Sequence, residues 1–151
     1  MTIERSFVMV KPDGVQRGFI GEIINRFEKK GIKIVAMKMV SVDRKLAETH
    51  YGIHKGKPFF EPTVKYIISS PVIAMVLEGE NVINMVRTMM GKTDPQQADM
   101  GTIRGDYGQF IGRNIVHGSD GPDTAKFEIN LWFKPEEISK YTKIDEEWLR
   151  E

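Results

Sequence analysis

Val72-Ile-Ala-Met-Val-Leu77 is an unbroken apolar run bounded by Pro71 on one side and Glu78-Gly79 on the other. A strand with one wet face alternates polar and apolar residues, so a continuous run of strand length predicts a strand buried on both faces. Upstream of it, Pro62 can start a short helix through Val64, Ile67 and Ile68 that Pro71 ends. Downstream, Asn81 is placed to cap a helix carrying Val82, Met85, Val86, Met89 and Met90, closing at Gly91. Further out, Ser6–Val10 reads as a second buried strand, stopped by the turn tripeptide Pro12-Asp13-Gly14. Ile20, Ile23, Ile24 and Phe27 recur at helical spacing. Lys29 and Lys30 suit the last turn of that helix, and Gly31 suits the left-handed position just past it.

Ile32 to Val42 is β-branched and Met-rich without helical period, which predicts another strand, placed to pair with the first. Asp43 can cap a short helix after it, and Lys55-Gly-Lys-Pro58 is a loop. Asn114-Ile-Val-His117 can form a last short strand, and Asp120-Gly-Pro122 marks a turn and a helix start. Ala125, Glu128, Ile129, Trp132 and Phe133 fit a helix there, although Phe127, Ile129 and Leu131 also alternate as in a strand. The order is β-α-β-β-α-β with extra helices inserted. An antiparallel sheet with helices on one face is the simplest packing, an α+β arrangement.

The length of 151 residues favours one domain spanning 1–151, without repeats or linkers. Twenty-two basic against twenty-one acidic residues leave a formal charge of +1, too little for a global field that would hold nucleic acid or an anionic membrane. With no cysteine, disulfides, thiolate nucleophiles and thiolate metal sites are excluded. Phe7 to Val10 is too short for the core of a secretion signal, and no run approaches the roughly 18 apolar residues of a spanning helix. The expected address is the cytoplasm, with no membrane partner.

From Gly91 to about Gly112 the chain is a long, aperiodic stretch rich in Gly, Asp, Gln and Thr, the best local pointer to a site. No P-loop is present: Gly91-Lys92-Thr93 lacks the first glycine and follows a helix. Histidine is the strongest nucleophile left. His50 and His54 stand four apart, but Gly52 interrupts them and no glutamate completes a metal motif, so surface or capping roles are the simpler reading. His117 ends a strand and opens into Gly118-Ser119-Asp120, where context fits a satisfied structural histidine as well as a catalytic one. Lys11, Arg87, Arg104 and Arg113 sit near element ends or in the long stretch, and would clamp a polyphosphate if they converge. Tyr141 and Trp148, in the tail beyond Pro135, are placed to dock on the body or on another subunit.

Asn114-Ile-Val-His-Gly-Ser-Asp120 resembles the active-site signature of the nucleoside diphosphate kinase family. The likeness continues through Lys11-Pro-Asp-Gly-Val-Gln-Arg-Gly18, Arg26-Phe-Glu28, His50-Tyr51, Pro58-Phe-Phe60, Gly101-Thr-Ile-Arg-Gly-Asp106 and Leu131-Trp-Phe133. The resemblance implies a ferredoxin-like βαββαβ fold with a four-stranded antiparallel sheet. It also implies transfer of the γ-phosphoryl group of a nucleoside triphosphate, mainly ATP, to a nucleoside diphosphate by a ping-pong route. His117 would carry the phosphoryl group as a pros-phosphohistidine, with Glu128 orienting it and Ser119 in support. Lys11 and Tyr51 would reach the transferred group; Arg87, Thr93 and Arg104 would hold phosphates; Lys11 and Asn114 the sugar hydroxyls; Phe59 and Ile111 the base. Stacking without reading base edges accounts for tolerance of every base. Mg²⁺ is implied as cofactor, held mainly by nucleotide phosphates and not by protein side chains. The tail through Glu151 is similar to that of longer members, which implies a homohexamer over a tetramer.

Two other classes compete. A regulatory or nucleic-acid-binding protein on the same fold could dispense with His117, which this chain keeps, and the near-zero charge speaks against nucleic acid as the main partner. A phosphohydrolase would need a base to activate water beside His117, and the sequence shows no obvious one.

Overall fold

The computed structural model describes residues 3–150; the outermost ends of the expected 1–151 span, including Glu151 of the tail, lie outside the described residues. Four strands, β1 (Ile3–Val10), β2 (Lys33–Val40), β3 (Val72–Glu80) and β4 (Val116–Gly118), form one sheet in the order β2-β3-β1-β4, with every neighbouring pair antiparallel. The second strand therefore does not pair with the first. β1 and β2 run parallel, so a helix must cross the sheet between them, and β3 slots into the gap that the crossover leaves.

Among the described residues eight α-helices accompany the sheet: α1 (Pro12–Gln16), α2 (Ile20–Lys29), α3 (Arg44–His50), α4 (Phe60–Ile67), α5 (Val82–Met90), α6 (Ile103–Tyr107), α7 (Pro122–Trp132) and α8 (Glu146–Leu149). They cover both faces, not one. Val8 and Val10 of β1 with Ile73, Met75 and Leu77 of β3 pack against Ile23 and Phe27 of α2 and Val82, Ile83, Val86 and Met90 of α5. The alternate residues, Phe7 and Met9 with Val72, Ala74 and Val76, pack against Ala47 of α3, Phe60, Val64 and Ile67 of α4, and Ile129 and Trp132 of α7. The period of two along β1 and β3 thus feeds two separate cores. The unbroken apolar run of β3 already demanded this, and the one-face packing read from element order is corrected by it.

Local signals decide the boundaries. Asp43 accepts the Leu46 amide at 2.7 Å and caps α3, and Gly31 sits at φ +83° just past α2. Pro12 does not merely stop β1: fixed at the first position of α1, it converts the expected turn into a short helix. α4 begins at Phe60, two residues before Pro62. Asn81 precedes α5 but makes no side-chain cap, being held at φ +54°; Glu4 of β1 accepts the Ile83 amide instead, at 3.0 Å. The stretch from Gly91 to Gly112 is not structureless, since Pro95–Gln97 forms a tight 3₁₀ turn and α6 follows. Thr102 caps α6 by accepting the Gly105 amide.

Candidate active site

His117 lies at the middle of β4 opposite Met9 of β1, so its side chain shares the sheet face on which α3 and α7 pack. α7 brings Glu128 to it, and its Nε2 stands 2.9 Å from Glu128 Oε2. The other carboxylate oxygen, Oε1, accepts from Ser119 Oγ at 2.7 Å. Ser119 is itself tied to β1, its amide donating to Phe7 O at 3.0 Å and its Oγ accepting from the Phe7 amide at 3.1 Å. Glu128 and Ser119 are buried, while His117 keeps a fifth of its side chain exposed. A carboxylate on Nε2 fixes that nitrogen as the protonated one, and leaves the Nδ1 lone pair for an incoming electrophile.

The approach to His117 is bent by force. Ile115 has φ +76°, and the Val116 amide donates to Asn114 O at 2.8 Å, closing a three-residue γ-turn that a β-branched residue adopts only under constraint. Three contacts impose it. Asp13 Oδ2 accepts the Ile115 amide at 3.1 Å, the Lys11 amide donates to Ile115 O at 2.8 Å, and Gly14 leaves the room a Cβ would take, 3.1 Å from both Ile115 Cγ2 and Ile115 O. Asp13 in turn accepts from the Tyr66 hydroxyl through Oδ1.

Around the turn the predicted cations and amides gather. Lys11 Nζ donates to Asn114 Oδ1 at 2.8 Å, and Asn114 Nδ2 donates to Thr93 O at 3.0 Å. Desolvation, reinforced by the Arg104 charge, lowers the Lys11 ammonium to about 8. Arg104 is 5% exposed and spends its guanidinium on three backbone carbonyls: Nε to Asn114, Nη1 to Gly91 and Nη2 to Val116, at 3.2, 3.0 and 2.7 Å. It therefore braces the segment that holds Thr93 against the strand that holds His117. Burial, with the Arg87 charge second, lowers it to about 10. Arg87 is exposed on α5 and reaches Gly118 O at 3.4 Å, so solvent rather than an internal anion satisfies most of its charge.

Tyr51, just past α3, sets its ring edge-on to His50 at 4.7 Å, and burial raises its hydroxyl pKa above the ordinary tyrosine range. Phe59 and Ile111 are half exposed, and no hydrogen bond or ring contact ties them to the His117 cluster among the described residues. Arg113 departs from the cluster, lying over the Tyr66 ring at 4.5 Å. Two clefts of about 730 and 530 Å³ lie elsewhere, and none of these residues lines either.

His50 is the residue whose place the sequence obscured. It belongs with His117, not with His54. The rings of His50 and His117 stand 5.0 Å apart and nearly perpendicular, His50 Nε2 is 3.6 Å from Glu128 Oε2, and the Trp132 indole donates to His50 Nδ1 at 3.0 Å. Burial first, then the His117 and Lys11 charges, lower it to about 2. A pattern of α3 burying Ala47 and His50 one turn apart was the available signal.

Comparison with known proteins points one way. The sequence profile described as Nucleoside diphosphate kinase matches residues 4–138. Nucleoside diphosphate kinases of Staphylococcus carnosus and Archaeoglobus fulgidus are 58% and 57% identical over 149 residues, covering 99% of each chain. Among solved structures, the halophilic nucleoside diphosphate kinase of Halobacterium salinarum in complex with CDP superposes with a TM-score of 0.97 at 49% identity, covering 99% of this chain and all of that one. The apo enzyme of Encephalitozoon cuniculi gives 0.94 at 43%, covering 97% and 99%.

Proposed function

The chain belongs to the nucleoside diphosphate kinase family and transfers a phosphoryl group from nucleoside triphosphate to nucleoside diphosphate through a phosphohistidine, and from this premise we propose that His117 is the residue that carries it, on Nδ1. The observation behind the assignment is the 2.9 Å contact of Nε2 with Glu128. With Nε2–H donating to the carboxylate, the Nδ1 lone pair attacks the γ-phosphorus, the bond from phosphorus to the bridging oxygen breaks, and the diphosphate leaves with that electron pair. The ring becomes a cation while it bears the phosphoryl group, and Glu128, held by Ser119, stabilises it. In the second half a terminal oxygen of the incoming diphosphate attacks the same phosphorus and Nδ1 leaves.

Lys11, Arg87, Arg104, Thr93 and Tyr51 supply donors and positive charge to phosphate oxygens, Lys11 and Asn114 hold the sugar, and Phe59 with Ile111 flank the base. The half-exposed apolar surfaces of those two suit stacking that ignores base identity. Mg²⁺ bound by the nucleotide's phosphates would neutralise charge on them. Among the described residues the carboxylate at the reacting histidine is Glu128, already committed to Ser119 and His117, so phosphate oxygens would hold a hard cation there.

The working assembly is a homohexamer in the cytoplasm. Met37 and Met39 stand 52% and 60% exposed on the edge strand β2, and Trp148 is 82% exposed on α8, more apolar surface than a free subunit leaves open without use. Among the described residues no helix is long and apolar enough to cross a membrane.

The test is incubation with γ-labelled ATP and Mg²⁺ without acceptor. Acid-labile, alkali-stable label on His117 is expected, chasing into GTP or CTP when their diphosphates are added and absent from His117→Ala. No label on folded protein would overturn the assignment. Sedimentation at six times the 17.3 kDa chain mass is expected, and a monomer or tetramer would refute the assembly.

A further inference from the structure

Two imidazoles and one carboxylate are the ligand set of an open zinc centre. His50, His117 and Glu128 each place a donor atom within 4.8 Å of the other two. Two of the spacings, 2.9 Å from His117 Nε2 and 3.6 Å from His50 Nε2 to the same oxygen, are those of atoms that could share one ion. The constellation lies at the reacting histidine, and on the function proposed above it meets divalent cations with every nucleotide.

Both imidazoles present a protonated Nε2 to the shared oxygen, but His117 keeps a fifth of its side chain exposed and a bare Nδ1 to which its proton can move, whereas His50 is buried and locked. A ligating histidine donates its second N–H outward to an acceptor, which frees the ligating nitrogen. In His50 the second nitrogen receives a hydrogen bond instead, from the Trp132 indole at 3.0 Å. An indole N–H only donates, so His50 Nδ1 is bare and the single proton of the neutral ring sits on Nε2. We propose that Trp132 keeps a latent transition-metal site of His50, His117 and Glu128 closed by fixing His50 as the Nε2–H tautomer.

To ligate through Nε2, His50 would have to move its proton to Nδ1, where it would meet the Trp132 N–H head on. Both residues are buried, at 8% and 4% exposed, so water cannot relieve two opposed donors. In this tautomer Nε2–H faces Glu128 Oε2 at 3.6 Å, beyond hydrogen-bond distance, so the group that would have been a third ligand presents a proton instead of a lone pair to the shared centre.

The experiment titrates nucleotide-free protein with Zn²⁺ by calorimetry, and with Co²⁺ by its visible spectrum, for wild type, His50→Gln, Trp132→Phe and the double variant Trp132→Phe/His50→Gln. Trp132→Phe is expected to bind one Zn²⁺ per chain on the order of 10- to 100-fold more tightly than wild type, and the double variant to lose that gain. A folded Trp132→Phe chain with wild-type affinity would overturn the proposal, as would a wild-type chain that binds one Zn²⁺ lost with His50→Gln. Because Trp132 is a core residue, ¹⁵N spectra of the wild-type imidazoles provide a second reading without any variant. His50 protonated on Nε2 and bare on Nδ1 is expected, and the reverse tautomer would refute the lock. Neither measurement uses nucleotide, so failure here and failure of the phosphohistidine assignment are separate results.

Discussion

Asp13 Oδ2 accepts the amide hydrogen of Ile115 at 3.1 Å, joining residues 102 positions apart. The bond pins the γ-turn that aims Asn114 and His117, and the Tyr66 hydroxyl on Oδ1 leaves the carboxylate no freedom to turn away. Asp13→Asn keeps one acceptor oxygen and places an NH₂ where a second is needed. A fall in kcat of about 10- to 100-fold with little change in nucleotide KM is expected, because misplacement of a reacting group is felt in the transition state. Steady-state kinetics decide it; a rise in KM at unchanged kcat would assign Asp13 to binding instead.

Lys11 is held near 8, well below an ordinary lysine, chiefly by desolvation. Its cation is what a phosphate needs, so kcat/KM should fall as pH rises through about 8. The stability effect has the opposite sign. Between about 8 and the unfolded value of 10.5 the unfolded chain binds the proton that the folded chain has lost, so this group makes the fold more stable as pH rises through that window and less stable below it. Lys11→Arg, which stays charged, should remove the alkaline limb of the rate profile even if its overall rate is lower. A limb unchanged in that variant would show that another group titrates.

Glu128 accepts from His117 on one oxygen and Ser119 on the other. Glu128→Gln preserves the shape and removes the charge that faces the phosphorylated ring. The rate of His117 phosphorylation should drop on the order of 10- to 100-fold with nucleotide affinity nearly unchanged. Rapid-quench single-turnover measurements separate the two, and an unaffected rate would deny Glu128 its role.

Gly105 sits in α6 beside Arg104, and a Cβ there would come within 1.9 Å of Asp99 O. Backbone must move to admit it. Gly105→Ala should cost about 2–3 kcal/mol in stability and reduce activity as well, since the Arg104 brace to Gly91, Asn114 and Val116 shifts with the helix. Urea unfolding alongside kinetics checks both; stability lost at full activity would separate the brace from the site.

The legible parts of this chain are those that local physics decides. The helical spacing of Ile20, Ile23, Ile24 and Phe27, the Asp43 cap, and the apolar run of β3 each predict their own element, and each stands in the structure. What one stretch does to another was less visible. That β2 pairs with β3, that Glu4 and not Asn81 serves the start of α5, and that His50 faces His117 are contacts across dozens of residues, which no window of sequence contains. The site residues were reached through a resemblance over many blocks, not through spacing: His117 by itself was as plausible a structural histidine. Arg104 illustrates the difference, since motif matching marks it for phosphate while only the fold shows that three of its five N–H groups brace backbone carbonyls and two are left for a ligand.

His117 is paired to β1, the strand that lends alternate residues to both cores. Peeling β4 away would uncover the Phe7 and Met9 side beside His117 and would also withdraw Val116 from the core that holds Val8 and Val10. The backbone that bears the reacting nitrogen is therefore paired directly to the strand on which both cores rest. In a reaction where one nucleotide must depart before another arrives, the comings and goings fall to the exposed side chains of Arg87, Phe59 and Ile111, while the covalent partner stays still between visits.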